Sequence, residues 1–276
     1  MSDLPVRTKR HAWWRVLLAG VALHLVSLLI LIFTRNPNFF PTVVLIGNFL
    51  VPVTFVVFFY QRRHLSRMTV PTTALGFLYG GILGTCAAGI LESLFIHRFN
   101  IRSTLVVGLI EEFAKIIGVI LIAGRQREHL AADGIILGAA AGMGFAAFES
   151  TGYTFTAFLA SGGSLSAAVG VMMLRGLLSP LGHGTWTAIL AGTLFHENPK
   201  RGVHLDGAVI GAYLGVSVLH GLWDGLPPLI AHIVGSFIDV AIAQVLIGAA
   251  GIVILAVMWR RAVSEPRGDY HLPAEK

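Results

Sequence analysis

Between Leu105 and Ala123 an apolar run carries two adjacent glutamates and a lysine, Glu111, Glu112 and Lys115. A charged side chain near a bilayer centre costs roughly 2.5–3.5 kcal/mol on insertion scales. Three so close together are not ordinary helix filler. On a helix Gly108, Glu111, Glu112, Lys115 and Gly118 fall on one stripe, with a glycine at each end. Lipid cannot solvate that stripe, so it must face protein or trapped water. The rest of the chain has to fold as a scaffold that encloses it.

Composition agrees. The 276 residues are 55% hydrophobic and 12% charged, with a mean hydropathy of +0.77, against about 25% charged in a soluble domain. The expected fold is all-α, a polytopic integral membrane protein with about eight transmembrane helices. The net charge of +6 does not point to nucleic acid, because the Lys and Arg sit in short clusters between apolar runs, as in membrane loops. A lone Cys86 excludes an internal disulfide and a Cys-rich zinc site.

Apolar spans are expected at about 14–34, 41–60, 72–96, 103–123, 132–159, 168–195, 205–226 and 233–259. Each is long enough to cross a core of ~30 Å at 1.5 Å per residue. The first is read as a retained helix, being too long for a signal peptide. Pro180 should kink the sixth span, and Pro227-Pro228 should end the seventh. With the N-terminus inside, 15 Lys and Arg fall on the inner side and three (Arg35, Arg98, Arg102) on the outer. That bias puts both termini in the cytoplasm and the chain in the plasma or inner membrane. Organisation follows as residues 1–103 (basic tail and scaffold helices), 104–226 (the helices carrying chemistry) and 227–276 (last helix and tail).

Polar residues collect on the fourth to seventh spans. The fifth has Gly138, Gly142, Phe145, Glu149 and Gly152 at 4-3-4-3 spacing. The sixth has Arg175, Ser179 and His183, and the seventh has Tyr213, Ser217, His220 and Asp224 at 4-3-4 spacing. Counted from the span ends, Glu111, Glu149, His220 and Asp224 lie roughly 10–15 Å below the outer face, and His183 about 20 Å unless its helix bends. Singly, each has a bland reading: a buried Glu–Lys pair, a protonated carboxyl, a satisfied core histidine. Arg175 reads as a group that orients a carboxylate or carbonyl. Glu92, His97, His24 and Asp239 lie near membrane edges or stand alone and are left out of the set. Jointly, Glu111, Glu112, Glu149 and Asp224 against Lys115 leave three surplus negative charges, which need protons or a cation. Carboxylate and imidazole donors suit zinc. Buried carboxylate and histidine chains also build proton relays, and spacing alone leaves both readings open.

At these residues the chain resembles the PrsW family of intramembrane proteases, within the wider superfamily of type II CAAX-processing proteases. Glu111-Glu112-Phe113-Ala114-Lys115 matches its Glu-Glu-x-x-Lys, and Phe145 to Glu149 its Phe-x-x-x-Glu. His183 follows in a later helix, and His220 to Asp224 matches His-x-x-x-Asp. The resemblance implies a multi-pass peptidase that cuts a membrane-anchored protein, such as an anti-sigma factor, in or beside the bilayer. It implies Glu111 or Glu112 as the base, Lys115 beside them, and Glu149, His183 and His220 on a metal, most simply zinc. Asp224 fixes an imidazole. In a metal-free variant the glutamate alone activates water, and His220 with Asp224 stabilises the oxyanion. The implied partners are that substrate and the lipid bilayer, with no nucleic acid and the oligomeric state open. The competing readings are a non-catalytic scaffold of the same superfamily and, third, an ion-coupled transporter.

Overall fold

A computed structural model describes residues 12–62, 66–98, 100–124, 129–200, 202–235 and 237–264, and every element among them is helical apart from turns. The helices are α1 (Ala12–Thr34), α2 (Phe40–Tyr60), α3 (Val70–Leu78), α4 (Gly84–Phe95), α5 (Ile101–Ala123), α6 (Ala131–Ala160), α7 (Leu165–Leu178), α8 (His183–Glu197), α9 (Gly207–Ile233) and α10 (Phe237–Ser264). A π-turn at Tyr79–Leu83 joins α3 to α4, and a 3-10 turn at Ser179–Leu181 lies between α7 and α8. Much of the predicted charge bias rests on Arg7, Lys9, Arg10, Arg63, Arg125, Arg127, Arg201, Arg267 and Lys276, which lie outside the described residues.

Seven helical spans among the described residues are long and apolar enough to cross a membrane. The eighth expected segment is α5, a helix of 23 residues. It carries Glu111, Glu112 and Lys115 near its middle, and all three are buried. Its charge is therefore shielded by neighbouring helices and not by lipid.

The bundle is centred on α6, the longest helix, with 30 residues. It packs along α8, while α5 packs along α9. Small residues make both contacts close. A Cβ at Gly138 or Gly142 would fall on the backbone carbonyls of Thr187 and His183, and one at Gly108 on the carbonyl of Ser217. Without those Cβ atoms, packing and backbone dipoles can operate at short range. The periphery is different: large apolar side chains of α1, such as Leu23 and Phe33, are exposed, as lipid-facing positions should be.

Two expectations need correction. The sixth span does not bend at Pro180; it breaks. The α7 helix stops at Leu178, Gly182 takes φ −108° and ψ −112°, and α8 begins afresh at His183. The carbonyl of Gly176, which an N–H at position 180 would have bonded, accepts from Ser179 Oγ at 3.1 Å, and that of Pro180 accepts from Thr185 Oγ1 at 2.6 Å. The second correction is that Pro227-Pro228 does not end α9, which runs on to Ile233. The two prolines remove only the N–H groups that would bond the carbonyls of Trp223 and Asp224. Both of those residues line a cavity, so the lost bonds fall beside open space and not in lipid.

Candidate active site

Three helix ends bring the polar groups to one level. Glu111 lies ten residues from the start of α5, Glu149 eleven from the end of α6, and Asp224 nine from the end of α9. At 1.5 Å per residue, each is about 15 Å from the same end of the bundle. The break before α8 brings His183 to them, although its position in an unbroken span would be deeper.

Lys115 is the hub. Its Nζ, with the residue fully enclosed, donates to Glu112 Oε1 at 2.8 Å, to Glu111 Oε2 at 3.1 Å and to His183 Nδ1 at 2.8 Å. It also sits 4.2 Å from the centre of the Phe145 ring. An ammonium only donates, so His183 Nδ1 carries no proton. The other nitrogen, Nε2, then bears it and faces Glu149 Oε2 at 3.2 Å. Glu149 is in turn held by Arg175, Nη2 to Oε2 2.6 Å.

His220 is arranged the opposite way. Its Nδ1 donates to Glu112 Oε1 at 3.0 Å, because a carboxylate oxygen is an acceptor. Glu112 is completed by Thr187, whose Oγ1 donates to Oε2 at 3.0 Å. The remaining nitrogen, His220 Nε2, is buried and has no hydrogen-bond partner. It faces Glu111 Oε2 and Asp224 Oδ2, each at 3.4 Å. Three acceptor atoms do not converge bare in a low dielectric. A proton on one of the three groups, or a cation among them, relieves the contact.

The donor set fits a cation. Among the described residues Glu111, His183 and His220 each offer one ligand atom, all within 4.8 Å of one another. Metal–ligand bonds of about 2.0–2.1 Å in a tetrahedron place ligands about 3.4 Å apart. That is the spacing from His220 Nε2 to Glu111 and to Asp224. Each imidazole also has its second nitrogen on a carboxylate, the arrangement that fixes metal-binding histidines. Lys115 already engages two of the three donors, Glu111 Oε2 and His183 Nδ1. Charge agrees as well: with Arg175 counted beside Lys115, the four carboxylates leave two negative charges unbalanced.

The expected roles therefore divide by position. Glu111, Glu149 and Asp224 line a cavity of about 570 Å³, and His183 joins Glu149 and Asp224 on the wall of a second one of about 220 Å³. Glu112 and His220 are fully enclosed. Glu149 was expected among the ligands. In the structure its carboxylate lies between Arg175 and His183 Nε2, while Glu111 is the carboxylate that shares the group with both imidazoles. Three participants were not singled out from sequence. Thr187 and Trp186 on α8 have no charge to mark them. Glu92, set aside as a membrane-edge residue, lines the larger cavity, and its spacing from Thr85 and Ala88 could have found it.

Residues 69–258 match the sequence profile described as PrsW family intramembrane metalloprotease. The match runs from the N-cap of α3 into α10 and includes every residue of the cluster. No match was found among curated proteins or among solved structures.

Proposed function

The chain belongs to the PrsW family of intramembrane metalloproteases, and from that premise we propose that its cluster hydrolyses a peptide bond of a membrane-anchored protein. The reading is carried by one observation, the orphaned His220 Nε2 facing Glu111 and Asp224 at the cavity wall. Glu111, His183 and His220 would hold a divalent cation, zinc by donor type. Bound there, it supplies Lewis-acid polarisation of water and of the scissile carbonyl.

The protein's own groups do the rest. Glu112 and Glu149 keep the two imidazoles in the tautomers that direct His220 Nε2 and His183 Nδ1 inward. Lys115 offsets the charge of the adjacent glutamates. Asp224 lines the cavity and has a side chain one-third exposed, 33%. It takes a proton from the attacking water as oxygen bonds to the carbonyl carbon. It returns that proton to the departing nitrogen as the C–N bond breaks. A second reading follows from Lys115 Nζ on His183 Nδ1 and Glu111 Oε2, an ammonium already engaging two of the three donors. There Glu111 is the base without metal, and His220 and Asp224 stabilise the oxyanion. The substrate arrives from the bilayer of the plasma or inner membrane, with both termini of the protease in the cytoplasm.

The test uses never-chelated, purified protein in lipid bilayers and a fluorogenic single-pass transmembrane peptide. Metal analysis should return one zinc per chain, and chelation should abolish cleavage until zinc is restored. Active protein without stoichiometric metal selects the second reading. Full cleavage by both Glu111→Gln and Asp224→Asn at normal abundance removes both readings, and a folded, zinc-loaded wild type that cleaves no peptide favours a scaffold.

A further inference from the structure

Glu92 has no part in the roles above, yet it lies on the wall of the larger cavity. Thr85, Ala88, Gly89 and Glu92 all line it, and their i, i+3, i+4, i+7 spacing makes them one face of α4. The other carboxylates on that wall are each accounted for. Glu111 has Lys115 and Glu149 has Arg175, while Asp224 faces His220 Nε2 at 3.4 Å and serves as the base in the proposed mechanism. Glu92 Oε1 is buried with no hydrogen-bond partner, and among the described residues no cation pairs with it. Neither packing nor helix capping accounts for such a group. A buried acceptor without a donor is unfavourable, and a negative charge three residues from the end of α4 at Phe95 opposes the helix dipole.

The space beside Glu92 is open. A Cβ at Gly89, one turn earlier on the same face, would have no atom within 4 Å, nor would one at Gly152 on the facing helix α6. Both glycines line the cavity. A peptide backbone can pass there and leave a side chain directed at Glu92. The wall around it carries more negative than positive charge, and its apolar members, Ala88 and Phe145 among them, suit a hydrocarbon stem.

We propose that Glu92 is a specificity-determining residue whose carboxylate receives a Lys or Arg side chain of the substrate, next to the bond that is cut. The inference rests on the reading of this cavity as the active site. A charge-assisted N–H···O bond to Glu92 inside the cavity would favour a basic side chain over an uncharged one of the same length by about 10- to 100-fold.

The experiment places the full-length protein in phosphatidylcholine vesicles with single-pass transmembrane peptides. The peptides carry Lys, norleucine or Glu at one position on either side of the cut, which mass spectrometry locates. The wild type should favour Lys over norleucine by that factor in kcat/KM at one position. Glu92→Gln should bring the ratio close to unity, and Glu92→Lys should turn the preference towards Glu. An unchanged ratio in Glu92→Gln at normal abundance overturns the proposal. So does an equal loss on every peptide, which would make Glu92 structural. Glu111→Gln separates the two levels of inference. If it is inactive while the Glu92 variants keep the wild-type preference, the active site stands and the subsite falls. If it cleaves normally, both fall.

Discussion

Lys115 joins its two glutamates to His183, and the partners it gathers give those glutamates different work. Glu112 is shut away with three polar contacts, from Lys115, His220 and Thr187, and is suited to holding things still. Glu111 reaches the cavity. Glu111→Gln should therefore lower kcat by about 10²–10⁴, whether Glu111 is a ligand or a base. Glu112→Gln should lower metal affinity or activity by about 10–100-fold, as is usual for a residue that orients a ligand. Metal titration beside single-turnover cleavage would check both, and equal losses for the two variants would contradict the division. The Glu-Glu-x-x-Lys spacing made this cluster legible in the sequence, because i, i+3 and i+4 contacts are local. Which glutamate faces the cavity was not legible. The answer lies in His220 and Thr187, 108 and 75 residues away. The pairing of Glu149 with Arg175 across 26 residues is non-local for the same reason.

Helix α6 owes its position to absent side chains. Gly138 and Gly142 meet the carbonyls of Thr187 and His183, and those two residues carry groups of the site. A methyl at Gly142 cannot be relieved by rotating a side chain, since it meets backbone. It should push the start of α8 away from α5, pulling His183 from Lys115. Gly142→Ala is expected to cost about 1–3 kcal/mol, the usual range for overpacking, and to reduce cleavage further than that loss of folded protein explains. Gly170→Ala in α7, where a Cβ meets nothing within 4 Å, should leave thermal unfolding in detergent unchanged. Gly138 and Gly142 of the 4-3-4-3 pattern announced this interface in advance, whereas Gly152 at its end meets nothing within 4 Å. The behaviour of the prolines was not announced. Pro180 coincides with a full break because Gly182 follows it and the hydroxyls of Ser179 and Thr185 take up the carbonyls of Gly176 and Pro180. Pro227 and Pro228 stay within a helix because their missing donors fall beside a cavity.

At the scale of the whole molecule, length, hydropathy and low charge together mark seven spans among the described residues, and α5 is left out because it holds Glu111, Glu112 and Lys115. The apolar run at 103–123 was legible as a span by its length, and its charges are enclosed by neighbouring helices. That enclosure also sets the direction in which the site opens. If the positive-inside bias fixes the termini in the cytoplasm, the α6–α7 loop and the nearby cavity face outward, and the α8–α9 loop faces inward. Cysteine labelling tests this with one residue at a time. Cys86 is exposed, so each variant is made in a Cys86→Ser background. Ser161→Cys, in the exposed α6–α7 loop, should react with a membrane-impermeant maleimide in intact cells. Lys200→Cys, in the exposed α8–α9 loop, should react only after permeabilisation. Thr85→Cys is the informative third case, because Thr85 lies on the wall of the 570 Å³ cavity. It should react in intact cells, more slowly than Ser161→Cys, if water reaches the catalytic groups from the outer side. Protection of Thr85→Cys until permeabilisation, with the two loop variants behaving as stated, would put the water path on the cytoplasmic side. Substrate cleavage would then be expected from there.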